Sequence, residues 1–299
     1  MESPKILFQK ILRSNYHFAR AYHHLKVLFL DSSTNKQPIV VHQMGKVAST
    51  AIYESLKTLN PDPDKYSIYH THYLSDPGLH KSEGFYRENY SRIQAIHTPL
   101  IHSFYIRRYL KQSKREKLKV ITLTRDPVAK NISSFFQNLE YLFGFSLREK
   151  IKTDNMESIL DELKRLFLEE FSYHDVPLSW FDLEMKPTFG IDVFSIPFDM
   201  ERGYQICEGE QADVLILKLE VLNQVVAEAF NIFLGIKDFE VKSENIGADK
   251  SYAQCYKLFK KTLSLPESYL DKMYLSKYVN HFYSKAEISA FREERVGGS

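Results

Sequence analysis

Three short runs of β-branched and aliphatic residues, at 39–42, 120–124 and 214–219, constrain this chain more than any other feature. Each is followed within a few residues by a stretch of helical periodicity, at 49–59, 128–142 and 221–234, and a polar-flanked fourth run spans 66–72. Apolar strands that alternate with helices of about three turns predict a parallel sheet covered on both faces. The expected fold class is therefore α/β, with a central parallel sheet flanked by helices. A chain of 299 residues is long enough to bury one large core of this kind. The expectation is a single domain over 1–299, made of a helical extension (1–37), the first junctions (38–142), an insertion (143–210) and a last core strand with C-terminal helices (211–299).

Charge and cysteine content narrow the chemistry. Forty Lys and Arg against 38 Asp and Glu leave a formal net charge of +2, so no global field draws the chain to nucleic acid or to an anionic membrane. Any anion must be met locally. Two cysteines, Cys207 and Cys255, make neither a disulfide framework nor a zinc site, which favours a reducing compartment and no metal. The longest apolar candidate in the N-terminal region, 27–30, falls far short of the roughly 20 residues that span a bilayer, so a soluble cytoplasmic protein without a transmembrane segment is expected. Lys5, Lys10, Arg13 and Arg20 alternate with apolar groups at the N-terminus, in the pattern of a helix that packs on its own domain or makes peripheral contact with a membrane.

Open α/β sheets bind ligands beyond the carboxyl ends of their strands. The first such junction reads Gln43-Met44-Gly45-Lys46-Val47-Ala48-Ser49-Thr50. A Gly, a Lys and a small, hydroxyl-bearing helix start let backbone N–H groups approach a phosphate and aim the helix dipole at it. The alternative is an ordinary cap at Ser49 or Thr50 beside a solvated lysine. The loop is not a Walker A, because Val40 stands at the first Gly position and Val47 at the magnesium-binding hydroxyl position. At the second junction the strand ends in Arg125-Asp126-Pro127, with Ser133 eight residues after Arg125. Pro127 and Asp126 suit the first turn and cap of a helix, and a cation at the strand end suits an anion rather than a metal.

Together the two junctions resemble those of the sulfotransferases that use 3′-phosphoadenosine 5′-phosphosulfate, and the Arg-Asp-Pro wording resembles the carbohydrate branch of that family. The resemblance implies a three-layer, P-loop-like fold. It implies that Gly45, Lys46, Val47, Ala48, Ser49 and Thr50 hold the 5′-phosphosulfate of the donor, and that Arg125 and Ser133 hold its 3′-phosphate. Lys46 would also act on the leaving oxygen, and no metal would be needed. The stretch 179–184 and the Tyr-rich tail further resemble a sulfotransferase-like group of capsular polysaccharide synthesis proteins. That likeness implies a carbohydrate or lipid-linked sugar acceptor and an acceptor-side role for 143–210.

In related enzymes the base that takes the acceptor proton often comes from the strand after the first motif helix. Strand periodicity places His70 and His72 on one face, and His72, nearer the ligand end, is the candidate base. His70, Trp180, Asp182 and Glu184 are the candidate acceptor contacts, Asp182 and Glu184 doubling as rival bases. A late polar loop, 243–250, could close over the nucleotide through Asn245 or Lys250, or could simply link two elements. Two other readings remain: a P-loop kinase-like phosphotransferase, which would require magnesium, and a non-catalytic glycan-binding protein of polysaccharide biosynthesis.

Overall fold

In the central strands, runs of Val, Ile and Leu pair edge to edge because both of their faces are buried. The computed structural model describes residues 3–30, 36–112, 115–242 and 250–296. Its five-stranded sheet consists of β1 (Gln37–His42), β2 (Tyr66–Thr71), β3 (Leu118–Thr124), β4 (Tyr204–Glu208) and β5 (Ala212–Lys218), in the spatial order β2-β1-β3-β5-β4. β1, β2, β3 and β5 run parallel, with His42 opposite Thr71 and Thr124 opposite Lys218. Their carboxyl ends therefore share one edge of the sheet. Ile39, Val40, Val41, Val120, Ile121, Val214 and Leu215 lie at its centre, fully buried.

The expectation of a wholly parallel sheet needs one correction. β4 is antiparallel, pairing Tyr204 with Leu217 and Glu208 with Asp213. This edge strand reads Tyr-Gln-Ile-Cys-Glu, too short and too mixed to register as an apolar run, and a tight connection in which Gly209 N–H donates to the Ala212 carbonyl folds it back on β5. Helices flank the sheet as expected. The one at Ser49–Leu59 follows β1, Asp76–Ile93 and Thr98–Leu110 follow β2, and Pro127–Phe143 follows β3.

The N-terminal extension divides in two. The helix Tyr16–Leu30 buries Tyr16, Ala19 and Val27 against Leu79, Tyr90, Leu100 and Phe104, a small second core. The helix Pro4–Ser14 buries no residue and leaves Ile6, Leu7, Phe8 and Ile11 exposed. Among the described residues no helix is long and apolar enough to cross a membrane.

The helix Val176–Phe189 ties two distant parts of the fold together. Glu184, fully buried, accepts from Leu74 N–H at 2.6 Å, Ser75 N–H at 3.0 Å and Ser75 Oγ at 2.7 Å. Gly78, in the first turn of the helix Asp76–Ile93, leaves room for that carboxylate, since a Cβ there would meet Glu184 Oε1 at 2.0 Å and Tyr73 Cδ1 at 2.8 Å. Gly84 in the same helix has nothing within 4 Å. Gly78→Ala is therefore expected to destabilise the protein by about 1–3 kcal/mol, and Gly84→Ala to leave it unchanged or stabilise it by up to about 1 kcal/mol. Urea denaturation of the two variants, read against wild type, checks the contrast.

Candidate functional site

Strand order reverses between β1 and β3: β2 lies to one side of β1, and β3 and β5 lie to the other. Such a switch point opens a crevice beyond the strand ends. The loop after β1 and the turn after β3 meet there, and Arg125 Nη1 donates to the Lys46 carbonyl at 2.7 Å. The two sequence-distant junctions thus stand side by side.

The loop itself is shaped for close approach. Gly45, Lys46 and Ala48 all have positive φ, at 60°, 62° and 62°. For Lys46 and Ala48 this left-handed backbone is strained, and strain of that kind clusters where function requires it. Val47 points its side chain into the core, fully buried, and anchors the loop between the strained residues. Ala48, rather than Ser49 or Thr50, is the N-cap of the following helix, and no side chain caps it. The helix start therefore keeps its unsatisfied N–H groups available to an anion. Ser49 is buried and Thr50 exposed. Burial and the neighbouring Arg125 charge both push the Lys46 ammonium below its ordinary pKa.

At the second turn, Asp126 is wholly occupied. It caps Val128 and Ala129 N–H at 3.1 and 3.2 Å, accepts from the Tyr274 hydroxyl, and forms a buried ion pair with Arg295 at 3.0 Å. The Tyr278 hydroxyl accepts from Arg125 N–H and donates to the Arg125 carbonyl, both at 2.9 Å, and Glu220 accepts from Asp126 N–H at 2.7 Å. These contacts fix the backbone on both sides of Arg125. Ser133 is half-buried on the following helix.

Beside these junctions lies a cavity of about 760 Å³, lined by Gly45, Lys46 and Thr50 of the first junction, by His70, His72 and Tyr73 at the end of β2, and by one face of the helix Pro127–Phe143. His70 and His72 share its wall, their rings 4.8 Å apart. His72 Nδ1 lies 2.8 Å from the Gln43 carbonyl and can only donate to it, which fixes the neutral tautomer with Nε2 as acceptor. The Nε2 edge faces Gly45, where a Cβ would lie 4.0 Å from it. Burial lowers the His72 pKa to about 4, against the Gln43 bond that raises it; His42, His97 and Lys130 add repulsion. Burial, with His72, His102 and His42 nearby, brings His70 to about 2.

Three expected acceptor contacts lie elsewhere. Trp180 is buried, and its indole N–H donates to the His72 carbonyl at 3.0 Å. Glu184 is spent on Leu74 and Ser75, and Asp182 pairs with Lys277 on the exterior at 3.2 Å. None of the three lines the cavity. Residues 243–249, including Asn245, and the side chain of Lys250 lie outside the described residues.

Sequence reasoning missed other groups. His97 lines the cavity, and His102 Nδ1 accepts from His70 N–H at 3.0 Å. Most notable is Lys130, 2 % exposed yet lining the cavity. Burial, then repulsion by Lys81 and Arg125, lowers its pKa to about 7. The signal was present: Lys130, Ser134, Asn138 and Tyr141 form a polar stripe on a helix whose opposite face is apolar.

Residues 153–284, a stretch shorter than half the chain, match the family model described as "NKWYS: Putative capsular polysaccharide synthesis protein". No curated protein and no solved structure matches the chain. The matched stretch holds neither the 43–50 nor the 125–127 junction, but it supplies Glu220, Tyr274 and Tyr278, which bond to Arg125 and Asp126, and Trp180 and Glu184, which bond to the chain just after β2.

With folded pKa values below the ordinary 6.5, His70 and His72 contribute stability that is complete above about pH 6.5 and is lost as pH falls toward 4. The imidazole Cε1–H resonances of both are expected to report neutral rings at about pH 5.5, where a free histidine is mostly charged. A His72 midpoint near 6.5 would show that the ring is not held in this way.

Proposed function

We propose that the protein is a sulfotransferase of capsular polysaccharide synthesis, moving a sulfuryl group from 3′-phosphoadenosine 5′-phosphosulfate to a hydroxyl of a carbohydrate acceptor. One observation carries the reading: the Arg125 guanidinium bonded to the Lys46 carbonyl, which joins an uncapped helix start, a strained lysine loop and an arginine into a single anion cradle. His72 Nε2 facing that cradle from the cavity supports it. So does the occupation of Asp126, which leaves the acid beside the β3 strand end committed to a cap and an ion pair.

In this reading the backbone N–H groups at 49–51 and the Ser49 and Thr50 hydroxyls hold the 5′-phosphate, and Arg125 with Ser133 holds the 3′-phosphate. The donor supplies the sulfuryl group and departs as adenosine 3′,5′-bisphosphate. His72 Nε2 takes the acceptor hydroxyl proton, and the Lys46 ammonium offsets negative charge on the leaving oxygen. A base with a pKa near 4 is weak, but anions in the cradle stabilise the imidazolium and raise that value.

Calorimetric titration with adenosine 3′,5′-bisphosphate and with ATP, each with and without EDTA, tests the reading. Magnesium-independent binding of the bisphosphate is expected, weakened at least tenfold by Arg125→Ala. Lys46→Ala is expected to lower turnover at least as strongly as donor affinity. Magnesium-dependent ATP binding alone would favour a kinase-like phosphotransferase instead, and glycan binding without either nucleotide would favour a glycan-binding protein.

The helix Pro4–Ser14, with Lys5 and Arg13 beside exposed Ile6, Leu7 and Ile11 and no acid in its sequence, fits the surface of an anionic membrane, where a lipid-linked acceptor would reside. Co-sedimentation with phosphatidylglycerol vesicles is expected, with loss on combined Ile6→Ser, Leu7→Ser and Ile11→Ser substitution. Equal sedimentation of the triple variant would remove this contact.

A further inference from the structure

Lys130 is the most deeply buried charged group on the cavity wall, at 2 % exposure. Among the described residues its Nζ makes no ion pair and no hydrogen bond, unlike the equally buried Lys218, which is matched by Glu287 at 2.9 Å. A buried ammonium without a counter-charge is costly, and proteins seldom keep one unless something supplies the anion.

The surroundings add cations rather than carboxylates. Lys81 reaches the same cavity from the helix Asp76–Ile93, its Nζ 5.4 Å from the centre of the Tyr173 ring, and Lys46 and Lys57 also line the wall. Among the described residues that line the cavity, Glu54 is the one carboxylate, on the helix Ser49–Leu59, one turn from Lys57. Ser134 and Asn138, on the Lys130 stripe, add neutral donors. The low-dielectric wall makes the uncompensated charge act strongly over a short range.

We propose that Lys130 and Lys81 form an anion subsite for the acceptor, so that the cavity selects a saccharide carrying a carboxylate or phosphate group over a neutral one. This rests on the sulfotransferase reading for the word acceptor, but the subsite is defined by the cavity alone. Lys130 would bind that group directly, with Lys81 at its flank and the aromatic walls of Tyr73 and Tyr173 against the sugar.

The test is calorimetric titration of the full chain with three hexasaccharides at constant ionic strength: one containing glucuronate, a phosphorylated maltohexaose, and neutral maltohexaose. Wild type is expected to bind at least one anionic probe at least tenfold more tightly than the neutral one, and the preferred probe identifies the group as carboxylate or phosphate. Lys130→Met, which removes the charge but keeps the length, is expected to melt at or above the wild-type temperature and to cut the preference to within about twofold. Lys81→Gln, at an exposed position, is expected to keep the wild-type melting temperature and to reduce the preference about three- to fivefold.

Equal affinity of wild type for charged and neutral probes would overturn the inference, as would a Lys130→Met variant that keeps the preference. Adenosine 3′,5′-bisphosphate is titrated in parallel. Retained nucleotide binding without anion preference would sink the subsite alone and leave the proposed activity standing. Loss of nucleotide affinity in Lys130→Met with the saccharide preference intact would assign Lys130 to the donor and overturn the subsite.

Discussion

The hydrogen bond from Arg125 to the Lys46 carbonyl is where the topology of this protein becomes chemistry. It exists because the strand order reverses between β1 and β3, so that residues 79 positions apart emerge next to each other at one edge of the sheet. The loop it touches holds positive φ at Lys46 and Ala48, a cost of roughly 1–3 kcal/mol each. Complete burial of Val47, about 1.5–3 kcal/mol, offsets part of that cost. The Gln43 carbonyl, accepting from both Gly45 N–H and His72 Nδ1–H, ties the loop to the base candidate. Displacing any one of these contacts would shift the others.

Contacts drawn largely from residues after 170 hold this arrangement from outside. Tyr278 closes on both backbone polar groups of Arg125, Trp180 holds the His72 carbonyl, and Glu184 holds the chain just beyond it. The Asp126–Arg295 pair, about 5 % exposed on both sides, is a buried ion pair of the kind that adds little net stability yet is costly to break from one side. Its value here is geometric: it fixes the helix start that follows Arg125. The family match over 153–284 covers Trp180, Glu184 and Tyr278 but not Arg295, so the similarity lies in residues that support the candidate site rather than in its loops.

What could be read from the sequence follows the range of the interactions involved. β1, β3 and β5 announce themselves because burial on both faces demands unbroken β-branched runs, and the Asp126-Pro127 helix start is a local signal satisfied by local atoms. β4 carries no such run, and its pairing comes from a short turn. Trp180 and Glu184 read as acceptor contacts because an aromatic beside carboxylates suits a sugar. Their partners, His72 and Leu74, lie 108 and 110 residues away, and no local pattern reveals them. Lys130 was legible as part of a polar stripe, but the eight-residue spacing from Arg125 to Ser133 drew attention to the neighbouring helical face.

The near-neutral total charge is equally uninformative about the cavity, where the described lining residues include one carboxylate and four lysines. Short-range fields in a low-dielectric wall are set by the few groups that line it, and net charge averages them away. The same field acts on both titrating groups: Lys130 is among the cations that keep His72 neutral, and Lys81 and Arg125 depress Lys130 in turn. Interaction between sites is reciprocal. An anion settling among these lysines would therefore raise the proton affinity of His72 as well, so that in the proposed reaction a bound anion strengthens the proposed base.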